Sequence, residues 1–426
     1  MPAIDSLTPR HHRNNLIFNS MHESFWGFGV AFHSIYAVVP LFLSELGAPT
    51  IIIGSVVGVF TAFTAMPQIV TAFLSRRTRN VKLAVMTVNS LLIPPMFVVG
   101  FIFAFIAPSG PSAWIIYYVC YIFYTLGVGI VFPIWADFLE TVHIPERRGS
   151  FFGISFAFTS GAGFAGGLIV RRLLDTTPFP NNFGFGFLIY SACILGATLM
   201  FIPYTTRKRK KKETSRNFSD FISEIRTIII NDKNFRRYIA SRILLTANYP
   251  AISLYAVYSR DKLGFDISEA GTFTAITVAM SGIASFAAGK IGDQFGHKHA
   301  MVLVFTSYLA ALVTTLSATT MLQTYLIFIF LGLGQGGFLT SAMSLVYEFA
   351  GEEGDKKVYF ALIDSLTAPF VLLFIIIVGL LIPVYGTPLV LMGLGLFILA
   401  GTIFLALFTE EPKVFRTHFP SAETLM

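Results

Sequence analysis

Long apolar stretches recur along this chain, separated by short polar turns. With a window of about 19 residues they number twelve, each able to form a helix across a hydrocarbon layer of about 30 Å. They fall near Leu16–Leu43, Ile51–Leu74, Leu83–Ile106, Ser112–Ala136, Phe151–Val170, Phe183–Tyr204, Tyr238–Tyr258, Ser268–Gly289, Ala300–Thr319, Met321–Tyr347, Val358–Pro383 and Pro388–Thr409. The pattern also repeats. L-G-A-P-T-I-I-I-G runs from Leu46 to Gly54, and L-G-F-D-I-S-E-A-G runs from Leu263 to Gly271. Each block closes one apolar segment and opens the next. A basic turn follows about 20 residues later: Ser75–Arg79 in the first copy, Gly289–Lys298 in the second. The expected fold is therefore an all-α integral membrane protein of twelve transmembrane helices in two pseudo-symmetric six-helix bundles, an organisation common in secondary transporters.

Polar punctuation sets the domain boundaries. Residues 1–204 form the first bundle and 238–426 the second, the latter with a short tail. The linker over 205–237 opens with Arg207-Lys208-Arg209-Lys210-Lys211-Lys212, which cannot enter a bilayer. Phe218, Phe221, Ile222, Ile225, Ile228 and Ile229 then recur at helical spacing, which predicts a short amphipathic helix on the membrane surface. It reads either as a coupling strut or as a charged tether.

Composition sharpens this picture. Charged residues are 12% of the chain and hydrophobic residues 54%, against about 25% charged in soluble domains; the mean hydropathy is +0.71. With the N-terminus in the cytoplasm, all of the 30 Lys and Arg except Arg171, Arg172, Arg260 and Lys262 fall on the cytoplasmic side, as the positive-inside bias requires. Both termini are thus expected in the cytoplasm, in a cell (plasma or inner) membrane. The net charge of +7 reflects lipid and topology, not nucleic acid. The first apolar segment is too long for a cleavable signal. Cys120 and Cys193 both lie inside helices, so no disulfide framework is expected. Asn217-Phe218-Ser219 reads as a chance glycosylation match.

The turn after the eighth helix carries a resemblance. Gly289, Asp293, Gly296 and Lys298 match the pattern G-x3-D-[RK]-x-G-x-[RK]-[RK], while Gln294 and His299 replace basic residues. In the first copy Thr71, Ser75 and Thr78 stand at the Gly, Asp and Gly positions and only Arg76 fits. With six-plus-six helices, this pattern resembles the major facilitator superfamily over residues 16 to 409. The resemblance implies alternating access of a small solute, with its site between the halves. Glycines allow a tight reversal, and the carboxylate can meet a basic side chain or a helix N-terminus. Asp293 has candidate partners in Arg147 and Arg148, Ser75 in Lys356 and Lys357, and Glu140 and Glu348 form a second symmetric pair. Each reads as a gate or as a solvated loop residue.

Polar groups inside spans are the other functional signal, since each charge there costs roughly 2.5–3.5 kcal/mol. In the first helix Asn19, Glu23, Trp26, Val30, His33 and Pro40 share a stripe, with His22 beside it. Glu23 and His33 are candidate coupling groups, and His33 is also a candidate cavity residue. A structural imidazole and a snorkelling carboxylate are the alternatives. Trp114, Tyr117, Tyr121 and Tyr124 share a face of the fourth helix, where Tyr121 and Tyr124 are the deeper cavity candidates. Gln68 follows Pro67 in the second helix. Arg242, Thr246, Tyr249 and Ser253 share a face of the seventh, the tenth carries Gln335, and the eleventh carries Asp364. Asp364 either carries a proton or pairs statically with Arg242. Ser155, Thr159, Gly163 and Gly167 recur every four residues in the fifth helix, which close helix packing explains. The family's exporter pattern G-x8-G-x3-G-P-x2-G-G fits there only in part.

No nucleotide loop, H-E-x-x-H or paired-cysteine site is present, so no catalytic residue, metal or cofactor is expected. The expected protein is a monomeric secondary active transporter of a small organic solute, coupled to protons through Asp364, Glu23 or His33. A facilitative uniporter is the alternative; a polytopic membrane enzyme and a non-transporting sensor are further ones.

Overall fold

A computed structural model describes residues 4, 6–75, 78, 80–144, 147–208, 226–351 and 356–412, apart from a few side chains within them. Among these residues the structure is helical, and the one β pairing is an isolated bridge between Ile4 and Arg207. The chain divides into two compact units. One comprises Met1–Lys212 and Ser253–Ala279, the other Glu213–Ile252 and Met280–Met426.

In the first unit α1 (Pro9–Ala31) and α2 (Val38–Glu45) make up the first segment. They are followed by α3 (Thr50–Ser75), α4 (Val81–Ser90), α5 (Ile93–Phe101) with a π-turn over Ile102–Ile106, α6 (Pro111–Val142), α7 (Arg148–Thr176) and α8 (Asn181–Met200). The seventh segment is α9 (Lys233–Leu245) and α10 (Asn248–Leu263). It leads to α11 (Glu269–Phe295), α12 (His297–Ser317), α13 (Met321–Ala350), α14 (Lys356–Tyr385) and α15 (Thr387–Phe408).

Ten helical stretches among the described residues are long and apolar enough to cross a membrane. The first and seventh of the twelve expected segments are not among them, because each is broken in two and each carries polar residues. Asn15, Asn19, His22 and Glu23 are buried on α1, and Arg242 on α9. With these two interrupted segments the twelve-segment fold is complete. The outside is apolar, with Leu407 74% exposed; a soluble monomer does not tolerate a continuous coat of this kind, whereas a lipid-facing one does. Of the expected linker helix, residues 226–231 are helical and 209–225 lie outside the described residues.

Phe138, Phe151, Phe201 and Tyr204 form the core of the first unit at the end nearest the linker. There Asn15 closes the chain on itself: its Nδ2 donates to the carbonyls of Val142 and Thr205 at 2.7 and 2.8 Å, and its Oδ1 accepts the Thr205 N–H at 3.0 Å.

Candidate functional site

The two interruptions share a cause. Proline lacks an N–H and its ring crowds the carbonyl four residues back, so it is accommodated most readily in the first turn of a helix. Pro40 is the third residue of α2 and Pro250 the third residue of α10. Each therefore starts a new helix. The chain bridges the gaps with tight turns, His33 N–H to Val30 C=O at 3.1 Å in one and Thr246 N–H to Ile243 C=O at 3.1 Å in the other.

At the first break the polar groups are sealed. His33 is buried among the rings of Tyr117, Tyr121, Tyr124, Phe187 and Tyr190, with centroid separations of 5.2 to 6.1 Å. The Tyr117 hydroxyl meets His33 Nε2 at 2.9 Å, Tyr121 donates to the Val56 carbonyl at 2.8 Å, and Tyr124 bonds Tyr190. Trp26 is half-buried at the edge, 6.5 Å from Tyr190. One helical turn and more away, buried Glu23 lies 3.3 Å from His22 Nδ1 and accepts the Thr159 hydroxyl at 2.9 Å. Gln68 is half-buried on α3.

At the second break the groups line a small cavity of about 30 Å³, bounded by Leu245, Asn248, Tyr249, Tyr308, Gln335 and Phe338. Arg242 lies alongside. Its guanidinium sits 4.5 Å from the Phe338 ring centroid and donates to the Tyr238 hydroxyl at 3.1 Å. Asp364, half-buried, is within electrostatic reach of Arg242. The sequence set Arg242 and Tyr249 on one face of the seventh segment, Gln335 on the tenth and Asp364 on the eleventh; in the second unit Tyr249 and Gln335 line one cavity, and Asp364 is in electrostatic reach of Arg242.

The first unit also contains a tight helix seam. Residues 253–279 pack on α7, where a Cβ on Gly167 would stand 2.7 Å from the Ala275 nitrogen and one on Gly163 would stand 2.9 Å from Val278. Arg171 pairs with Glu269 at 3.0 Å and Arg260 pairs with Glu45. Ser253 accepts the Val57 N–H at 3.0 Å. The small residues at Gly163 and Gly167 thus serve close packing.

The turn of the second unit is held by a carboxylate that the sequence reading did not single out. Gly296 has φ +99°, a left-handed conformation that favours glycine. Gly289 is on α11, one of whose last residues, Asp293, is exposed and 4.0 Å from His297 Nε2. Glu411 accepts the Lys298 N–H at 3.0 Å and lies 3.4 Å from His299 Nδ1, with the Glu348 carboxylate beside it. Lys298 Nζ donates to the Ala406 and Thr409 carbonyls at 3.1 and 2.9 Å. Burial pushes the Glu411 carboxyl above its ordinary 4.5, only partly offset by the Lys298 N–H, His299, Lys298 and Glu348. A carboxyl raised on folding favours the fold while protonated, and that contribution is lost as pH rises through its folded value. The second unit is therefore expected to melt at a higher temperature at pH 5 than at pH 7. In Glu411→Gln, which keeps an acceptor for Lys298, the difference should shrink; an unchanged difference would remove Glu411 as its source.

Of the other expected gating residues, Glu140 and Arg147 are exposed. Arg76 and the side chain of Arg148 lie outside the described residues, as do the side chains of Lys356 and Lys357. Ser75 donates to Asp137 Oδ2 at 3.0 Å. Asp137 was missed by the sequence reading although it is a buried acid inside a long apolar helix, the kind of position that signals function or pairing. Asn248 was also missed; the polar residue just ahead of Pro250 was its signal.

Residues 238–424 match the sequence profile of the Major Facilitator Superfamily. No curated protein matches the chain. Among solved structures, the nucleoside transporter NupG superposes with a TM-score of 0.70 at 12% identity, over 93% of this chain and 100% of that one. A transporter of the POT family in complex with 5-aminolevulinic acid gives 0.68 at 14% identity, over 95% and 97%. A bacterial homologue of the human lysosomal transporter Spinster, inward-facing and occupied, gives 0.66 at 13%, over 97% and 98%. At these identities the neighbours show that this multi-span membrane protein has the transporter fold, and the Major Facilitator Superfamily profile matches its second bundle, residues 238–424.

Proposed function

We propose that this protein is a secondary active transporter that moves a small organic solute by alternating access and couples it to protons through Asp364 and Arg242. The observation that carries this reading is the pair of proline-started breaks at Pro40 and Pro250, in corresponding segments of the two sequence halves. Interrupted helices at matched positions mark solute and ion sites in transporters built from repeats. The second break lies next to a buried guanidinium and a carboxylate; the first is filled by aromatic side chains. In this reading the groups at the second break supply the polar recognition, and the buried aromatic cluster around His33 stiffens the first break. The linker over 205–237 and both termini are cytoplasmic, and the seam formed by 253–279 on α7 is the outer gate. Asp293 acts at the inner gate with Arg147 and Arg148, alongside Gly289, Gly296, Lys298, Arg76, Glu140 and Glu348.

Counterflow tests the reading. Purified protein in sealed vesicles preloaded with unlabelled solute should draw in the same labelled solute faster than protein-free vesicles. Nucleosides, peptides and 5-aminolevulinic acid head the panel because solved neighbours carry those names. Failure of every solute, with sugars and organic acids included, would overturn it.

A further inference from the structure

The cavity at the second break has a chemistry of its own. Asn248 is 2% exposed, and its Oδ1 has no hydrogen-bond partner. A buried acceptor left unmade costs about 1–3 kcal/mol, so it calls for an N–H or O–H from elsewhere. Across the cavity, Gln335 sits in the run Gly334-Gln335-Gly336-Gly337. A Cβ at Gly334 would stand 2.6 Å from the Tyr308 ring, and one at Gly337 would stand 2.7 Å from Val304. Of those four residues Gln335 alone projects a side chain, and the glycines beside it let Tyr308 and Val304 pack against the helix backbone. Two carboxamides thus share a slot whose walls are the aromatic side chains of Tyr249, Tyr308 and Phe338.

We propose that this slot binds the N–H/C=O edge of a small planar heterocycle, of the kind a nucleobase presents. A carboxamide carries an acceptor and two donors in one plane, which pairs with a ring edge through two parallel hydrogen bonds. Aromatic walls add stacking on the flat faces of such a ring. The volume of about 30 Å³ is small, a little above the roughly 10–15 Å³ that a single water needs, so it admits the polar edge and leaves the rest of the solute outside the slot. Arg242 and Asp364 balance one another in charge beside the slot, which suits a neutral edge better than an isolated anion. The inference rests on the transporter reading and names its solute class.

The test uses full-length protein in nanodiscs with uracil, adenine, uridine and adenosine as probes, and glucose and a dipeptide as comparison solutes. At least one heterocycle should bind saturably and raise the melting temperature. Asn248→Ala and Gln335→Ala should each weaken it about tenfold or more, with the melting temperature of the empty protein near that of the parent. Gln335→Asn, which keeps the amide and shortens its reach, guards against misfolding and should weaken binding to an intermediate degree. No binding by any heterocycle, the slot holding a resident water only, overturns the inference. Binding of glucose or the dipeptide that both alanine variants abolish also overturns it, while counterflow of that solute would leave the transporter reading standing.

Discussion

Gly271→Val is expected to hold the outer seam apart. A Cβ at Gly271 would stand 2.5 Å from the Gly167 carbonyl oxygen and 2.6 Å from the Arg171 Cα. These are backbone atoms of α7 and have no rotamer to give, so the two helices must separate. That separation also breaks the Arg171–Glu269 pair at 3.0 Å. A single cysteine at Ala275, which is 2% exposed, should then react with an impermeant maleimide at least about tenfold faster than in the parent, a shift of about 1.4 kcal/mol in the closed–open balance. Gly161→Val is the control, since a Cβ there meets nothing within 4 Å. Equal labelling in Gly271→Val and parent would show that the seam is not a gate.

Asp364→Asn is expected to abolish accumulation while sparing exchange. One proton moving down a pH difference of one unit supplies about 1.4 kcal/mol, enough for about tenfold accumulation of a co-transported neutral solute. With the carboxylate gone that ratio should fall to about one, while counterflow, which needs no proton movement, should persist. Full accumulation by the variant would remove Asp364 from the coupling. Loss of folding would point to a static pair, because removing one partner leaves the buried Arg242 charge uncompensated. The double variant Asp364→Asn with Arg242→Gln separates these cases. It should refold under the static reading and still fail to accumulate under the coupling one.

The fold was legible because lipid imposes a simple rule: twelve apolar stretches and a repeated block around Gly54 and Gly271 sufficed for architecture. The breaks at Pro40 and Pro250 were less legible, because a hydropathy window averages over interruptions of six and two residues. Pro67, Pro133, Pro369 and Pro383 stay inside continuous helices, so proline alone does not mark an interruption. The shared face of Arg242 and Tyr249 could be read from helical spacing, but the approach of Gln335, on another helix, to Tyr249 could not. The aromatic stripe of α6 could be read too, but not its burial: whether Tyr121 and Tyr124 face a cavity or a neighbouring ring depends on Tyr190 and His33, on other helices. Glu411 lay beyond the last span, where periodicity carries no signal and only the three-dimensional return to Gly296 reveals its role.

The measurement that bears most directly on alternating access needs no solute. Spin labels on single cysteines at Ser44 and Lys262, which flank the Glu45–Arg260 pair, report the width of the seam by electron–electron distance. Two populations are expected, a short one matching the closed seam and a longer one, with Gly271→Val shifting weight to the longer. A single narrow short distance in parent and variant alike, across pH 5 to 8, would contradict the account.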